Sequence, residues 1–273
     1  MRAASADSDA MDGRHVALVT GASRGIGAAI ARALAASGAA VVAAARGAGA
    51  CAALCDELRA AGADAWPLAL DVTDPASVKS GATEAARLAA GVGPVDWLVN
   101  NAGIAVSAAA LGADAEELNE RHLAVNYHGA RRAFEALAPA MVERGYGRVV
   151  NVASSAALGG YAYVSAYCAS KHALLGYTRA VAHELATSGV GVCAVCPHYV
   201  DSPMLAASIE RVAHKTGRGE AEARAFFERQ NPGGRLVTTD EVAAAVVALL
   251  RDERTGVVVE LDGGDPRELE SVR

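Results

Sequence analysis

Aromatic side chains are scarce in this chain, with three Phe, two Trp and seven Tyr among 273 residues. A core of stacked rings is thereby disfavoured. Alanine supplies much of the 52% apolar fraction, which suits tightly packed helices. No run of eighteen apolar residues occurs: the nearest, "ALAASGAAVVAAA" (33–45), is interrupted by Ser37 and Gly38, so no membrane span is expected. A basic surplus is missing too. Net charge is −6, which leaves no electrostatic footprint for nucleic acid or an anionic membrane, and Arg131–Arg132 reads as a solvated helix face. The start, "MRAASADSDAMDGRH", lacks the apolar segment of a signal peptide; residues 1–13 read as a disordered tail and the protein as cytoplasmic. The five cysteines are odd in number and scattered, as free thiols in a reducing compartment are. Cys193 and Cys196 form a CxxC, but no second pair exists and "GVCAVCP" reads as a buried strand. No metal site is expected.

What is present is a regular alternation of apolar strand-like runs and helical stretches from residue 15 to about 264. Strands are expected at 15–20, 39–45, 65–70, 95–100, 148–153, 190–196 and in "GVVVELDGG" (256–264). Helices are expected between them, with "TTDEVAAAVVALL" carrying capping residues ahead of its apolar run. Repeated βα units of this length predict one α/β domain over 14–264. Its form is a Rossmann-type, doubly wound parallel sheet of about seven strands between two helical layers. Residues 265–273 read as a charged tail. The charged, helix-prone stretch at about 201–235 has no strand and follows a strand end, where ligands sit in such sheets; it is a candidate substrate lid.

The loop "TGASRGIG" (20–27) lies between the first strand and first helix. Gly21 permits a tight turn, Gly25 lets backbone approach a pyrophosphate, and Gly27 lets helix pack on strand. Its spacing is GxxxGxG rather than GxGxxG. At the end of the second strand, where an NAD enzyme usually places an acid for the ribose 2′-hydroxyl, the chain has Ala45 and Arg46. With Ser23 and Arg24 in the glycine loop, this pattern suits a 2′-phosphate, and NADP(H) is expected in preference to NAD(H).

Tyr167 and Lys171 stand four residues apart in "YCASK", one helical turn, with Ser154 thirteen residues upstream of Tyr167. A free tyrosine titrates near pH ~10, and a lysine one turn away is expected to lower that value toward the range useful for general acid catalysis. A serine hydroxyl can then hold the oxygen that gains or loses the proton. Such a set suits reduction of a carbonyl or oxidation of an alcohol.

Together "TGASRGIG", "NNAG" (100–103), Ser154 and "YCASK" resemble the compact branch of the short-chain dehydrogenase/reductase family over nearly the whole chain. The resemblance implies a catalytic set of Asn126, Ser154, Tyr167 and Lys171. Asn126, in "AVNYHG", would kink the long helix and hold a water; Lys171 would bind the nicotinamide ribose and pass protons to that water. Cofactor contacts implied in the same way are Gly21, Ser23, Arg24, Gly25, Ile26, Gly27, Arg46, Asp71, Val72, Asn100, Ala102, Gly103, Tyr167, Lys171, Pro197, Val200 and Ser202. Among these, Asn100 and Gly103 would line the cofactor path, Asp71 and Val72 would cradle the adenine, and Ser202 would reach the carboxamide.

One departure stands out: the family generally has Pro-Gly after the sixth strand, and this chain has Pro197-His198. His198 could be a substrate contact, a pH-sensitive group or an outward side chain; Tyr161 and Tyr163 could line the substrate mouth or pack. The activity implied is NADPH-dependent reduction of a ketone on a small carbonyl substrate, with 3-oxoacyl thioesters as the analogous substrate. The alternatives are dehydrogenation of another secondary alcohol and non-catalytic dinucleotide binding. A homo-oligomer, tetramer or dimer, is implied as well.

Overall fold

The computed structural model describes residues 14–47, 49–217 and 219–272. The expected tail at 1–13 lies outside these residues. Alternation of side chains builds both faces of the sheet at once. In β1 (Val16–Thr20), Ala17 and Val19 face one layer while Val16 and Leu18 face the other. β2 (Ala40–Ala45), β3 (Ala65–Ala69), β4 (Val95–Asn100), β5 (Gly147–Val152), β6 (Val190–Pro197) and β7 (Thr255–Leu261) repeat this pattern.

The sheet order is β3-β2-β1-β4-β5-β6-β7, all neighbours parallel, followed by an eighth strand, β8 (Arg267–Val272), antiparallel on β7. β8 corrects the expectation of a charged tail. "RELESV" carries charges because it is an edge strand, and the turn from Asp262 to Pro266 lets it fold back. The seven expected strands are present to within a residue or two of their expected bounds.

Helices α1 (Gly25–Ala36), α2 (Gly49–Ala60) and α9 (Thr239–Arg251) cover one face through Ile30, Leu34, Leu54, Leu58, Val246 and Leu250. Helices α3 (Pro75–Leu88), α5 (Gly129–Arg144) and α6 (Ser165–Glu184) cover the other through Val78, Phe134, Leu137, Met141 and Val181. Small side chains dominate where helix meets strand, in keeping with the aromatic-poor composition. Cys193 and Cys196 sit on opposite faces of β6, in separate core clusters, and all five thiols are free. No helix among the described residues is long and apolar enough to cross a membrane.

Two features of the fold locate a site. Strand order reverses between β1 and β4, and the crevice beyond their carboxyl ends is where α/β sheets bind ligands. The expected long helix before β5 is interrupted: α4 (Ala115–His122) passes into a π-turn at Leu123–His128 before α5 begins. The stretch expected as a lid forms α7 (Pro203–Thr216) and α8 (Glu220–Gln230).

Candidate active site

The glycine loop is secured from below by β4. Thr20 Oγ1 accepts the backbone N–H groups of Asn101 and Ala102, both at 3.1 Å. Asn101 Nδ2 donates to the carbonyls of Thr20 at 3.0 Å and Gly21 at 3.1 Å. Gly21 has φ +67°, and a Cβ there would lie 2.8 Å from Ala102 Cα, so both conformation and space demand glycine. A Cβ on Gly27 would fall 2.3 Å from the Gly21 carbonyl oxygen, so the third glycine lets α1 pack closely on the loop itself. Gly25 opens α1, and Ile26 packs against the core beneath it. Asn100, expected along the cofactor path, turns its amide into a buried network instead. It donates to the Ala130 carbonyl and to Asn151 Oδ1 at 2.9 Å, and Asn151 donates to Thr178. Asn101, its neighbour, is the residue that holds the loop; the doubled asparagine was the signal for it.

The second-strand end lies beside this loop, because Ala22 N–H donates to the Ala44 carbonyl at 3.0 Å. Ser23, Arg24 and Arg46 are exposed there. Asp71, at the end of β3, accepts from the Thr73 amide at 2.9 Å and hydroxyl at 2.7 Å. These bonds, with the Arg46 charge nearby, hold its carboxyl below the usual range. Val72 is buried against Gly129, where a Cβ would meet it at 2.8 Å. The cradle therefore has open backbone, exposed cations and no acid at the end of β2, and it fits a phosphorylated dinucleotide.

Ser154, extended at φ −179°, caps a short 3-10 turn at Ser155–Ala157 by accepting the Ala156 N–H at 3.1 Å. Ser154 is the hydroxyl that acts on the Tyr167 phenol, pulling its pKa down, whereas Ser155 accepts from Tyr161 at 2.9 Å. Lys171 is buried, and its Nζ donates to the Val152 carbonyl at 2.7 Å and lies 5.8 Å from the Tyr167 ring centroid. Gly103 sits between: a Cβ there would approach Asn126 Oδ1 at 3.3 Å and Lys171 Nζ at 3.7 Å.

Asn126 lies in the π-turn, the observed form of the expected kink. Its Oδ1 accepts the Ile104 N–H at 2.8 Å, and its Nδ2 donates to the Ile104 carbonyl at 3.0 Å and to Ser170 Oγ at 2.9 Å. One turn earlier is His122, fully buried and absent from the sequence-based set. Its Nδ1 donates to the Leu118 carbonyl at 2.6 Å and its Nε2 accepts the Val106 N–H at 3.1 Å. Burial holds its pKa down, and its ring meets Tyr167 edge-on at 6.2 Å. The four-residue step from His122 to Asn126 was the signal available for it.

The charge state of Tyr167 corrects the sequence-based expectation. Burial pushes the phenol up to about 12, although Ser154 pulls the other way. The Lys171 ammonium, bonded to the Val152 carbonyl, lies 5.8 Å from the ring centroid and does not offset this. Burial also lowers Lys171, to about 8. Tyr167 therefore stands protonated throughout the neutral range, the state a proton donor needs.

Beyond Ser154, Tyr161 meets Tyr199 at 6.2 Å and Tyr199 meets Phe227 of α8 at 4.9 Å, a line of rings from the β5 end to the second helix of the expected lid. Tyr163 is exposed at φ +66°, and its carbonyl accepts the Ala108 N–H at 2.8 Å, tying the loops after β4 and β5 together. Ser202 caps α7, Val200 is buried in a bridge to Val237, and the Pro197 carbonyl faces Ser154 Oγ at 3.5 Å. His198 is not outward: its Nε2 pairs with Glu260 Oε1 at 2.8 Å. His172 is exposed, with Nδ1 on the Cys168 carbonyl.

A family profile described as short chain dehydrogenase matches residues 15–213. The chain belongs to this family. The short-chain dehydrogenase fold and chemistry follow, and the protein is an oxidoreductase acting on a CH–OH group. It is 36% identical over 252 residues to the 3-oxoacyl-acyl-carrier-protein reductase FabG of Escherichia coli (strain K12), covering 91% of this chain and 96% of that one. Among solved structures, a point variant of actinorhodin polyketide ketoreductase with NADPH superposes at TM-score 0.84. It has 37% identity and covers 92% of this chain and 97% of that chain. Levodione reductase superposes at 0.85 with 30% identity and the same coverage.

Difference absorbance titration of ligand-free wild type against Tyr167→Phe isolates the Tyr167 phenol. It is expected to ionise near pH 12; ionisation at or below the free-tyrosine value of ~10 contradicts this electrostatic account.

Proposed function

We propose that this short-chain dehydrogenase reduces a ketone to a secondary alcohol with NADPH, and that its substrate is a 3-oxoacyl thioester. The observation that carries the reading is Lys171, buried and bonded to the Val152 carbonyl, beside the ring of a half-buried, protonated Tyr167, with Ser154 acting on the phenol and the glycine loop across the crevice. When bound, a reduced nicotinamide dinucleotide supplies the hydride to the carbonyl carbon. The chain supplies the rest. Ser154 donates a hydrogen bond to the carbonyl oxygen, and Tyr167 gives that oxygen its proton as negative charge develops there. Lys171, close to neutrality at its lowered pKa, stands ready to restore the proton. Asn126 fixes the backbone at Ile104 that walls the same cleft. Pro197, Val200 and Ser202 form the far wall, with Tyr161 beside the substrate mouth and α7 and α8 as the lid.

Names of relatives support the substrate class: FabG is named for a 3-oxoacyl group on acyl-carrier protein and the actinorhodin enzyme for a polyketide, while levodione reductase argues for including ketones other than thioesters in any screen. The intact Ser154, Tyr167, Lys171 and Asn126 weigh against a purely binding role. Assembly into a dimer or tetramer through α5 and α6 belongs to the same reading, supported by the exposed small residues Ala136, Ala140 and Ala169 and by exposed Val142.

Steady-state oxidation of NADPH with acetoacetyl thioesters and cyclic ketones tests the activity. Thioester turnover that falls about 10²- to 10⁴-fold in Tyr167→Phe is expected, and turnover unchanged by that substitution sinks the mechanism. For the cofactor, Arg46→Asp is expected to raise KM for NADPH tenfold or more, on the order of a lost charge-assisted contact, with far less effect on NADH. Equal losses with both cofactors contradict the assignment.

A further inference from the structure

His198 stands immediately after β6, and three separate contacts hold the chain around it. Its N–H donates to the Leu261 carbonyl at 2.8 Å, its Nε2 pairs with Glu260 Oε1 at 2.8 Å, and Glu260 Oε2 in turn pairs with Arg267 of β8. His198 and Glu260 side chains are each only 9% exposed, so this pairing is built into the core, whereas Arg267 is 64% exposed. Burial pushes the Glu260 carboxyl up, but bonds from His198 and Arg267 outweigh it and keep the group ionised. A carboxylate only accepts, so His198 Nε2 is the donor. Its Nδ1 is buried with no protein partner, a cost the fold does not recover locally.

The neighbours of His198 are the active-site walls. Pro197, one residue back, presents its carbonyl to the Ser154 hydroxyl, and the Ala153 N–H donates to the Val195 carbonyl at 2.8 Å. Tyr199, one residue on, is clamped by Asn231 at the end of α8. Its N–H donates to Asn231 Oδ1 at 3.0 Å, and Asn231 Nδ2 returns a bond to its carbonyl at 2.9 Å. The contacts run laterally from Ser154 across the ends of β5, β6 and β7 to β8. A glycine at 198 has no side chain with which to make the tie to Glu260.

We propose that His198 is a positioning residue for proton donation at Ser154 and Tyr167, and that Glu260 and Arg267 hold it, making the C-terminal hairpin part of the active-site scaffold. This rests on the ketone-reduction reading. The side chain at 198 anchors the segment whose carbonyl faces Ser154 and whose following residues begin the lid. Loosening it displaces the Ser154 hydroxyl and lowers kcat, while the glycine loop and the exposed cations suited to the phosphates of the dinucleotide, on the other side of the crevice, are untouched. A shift of about 1 Å in such a group costs up to ~100-fold in rate.

The test is a double-mutant cycle on kcat with His198→Gly, Glu260→Gln and the pair, together with Arg267→Gln at the exposed end. Each single variant is expected to lose about fivefold to tenfold in kcat, KM for NADPH to stay within about twofold, and the double variant to be no slower than the slower single. Arg267→Gln is expected to lose a smaller share and serves if the buried variants do not fold. Lowered melting temperatures with kcat unchanged, or losses in kcat that multiply in the double variant, overturn the proposal. Wild type that turns over no ketone with either cofactor overturns the ketone-reduction reading instead, and the inference with it.

Discussion

An ammonium group buried without a carboxylate partner is the constraint around which this active site is arranged. Lys171 makes no ion pair among the described residues, and a single backbone carbonyl, that of Val152, accepts from its Nζ. Desolvation of a cation in that position is costly, and its lowered pKa is the direct expression of the cost. The surrounding structure keeps it there: α6 enters under the end of β5, the π-turn swings Asn126 over Gly103, and Asn126 pins Ile104 by both ends of its amide. Strain of this kind is tolerated where a site needs a group poised near neutrality.

Above Lys171 the same burial acts with opposite sign on Tyr167. A phenol is neutral when protonated, so desolvation raises its pKa and keeps the proton in place. The pair therefore has a protonated phenol and an easily deprotonated ammonium one helical turn apart, the arrangement the proposed proton donation uses. His122 packs edge-on against the Tyr167 ring, and the aromatic line through Tyr161, Tyr199 and Phe227 runs from the end of β5 to α8.

Most of the fold was legible because its signals are local. Period-two apolar runs, the glycine loop and the capping box at Thr238 each specify an element without help from distant residues. β8 was not legible: Arg267, Glu268 and Glu270 look like a solvated tail until β7 provides an edge to pair with. Spacing brought Ser154, Tyr167 and Lys171 forward as candidates, yet it gave the wrong direction for the Tyr167 pKa. Spacing places Lys171 one turn away but does not say that its Nζ bonds the Val152 carbonyl or how strongly burial acts on the phenol. The same limit left the role of His198 open, because its partner Glu260 lies sixty-two residues further along the chain. It also hid Asn101, whose role depends on where Thr20 and Gly21 lie.

The central claim, that a buried cation is kept at the expense of stability because it serves Tyr167, is tested most directly by Lys171→Met. In the fold Lys171 is lowered from 10.5 to about 8, so the full penalty is present below pH 8 and is relieved as pH rises toward 10.5. Unfolding free energies of ligand-free wild type and Lys171→Met, measured at pH 7 and pH 10, separate this effect from other titrations. The account predicts that the variant is the more stable at pH 7, by on the order of 1–3 kcal/mol, that the gap narrows at pH 10, and that ketone turnover is lost. A variant that is less stable at pH 7 and still turns over substrate would contradict it.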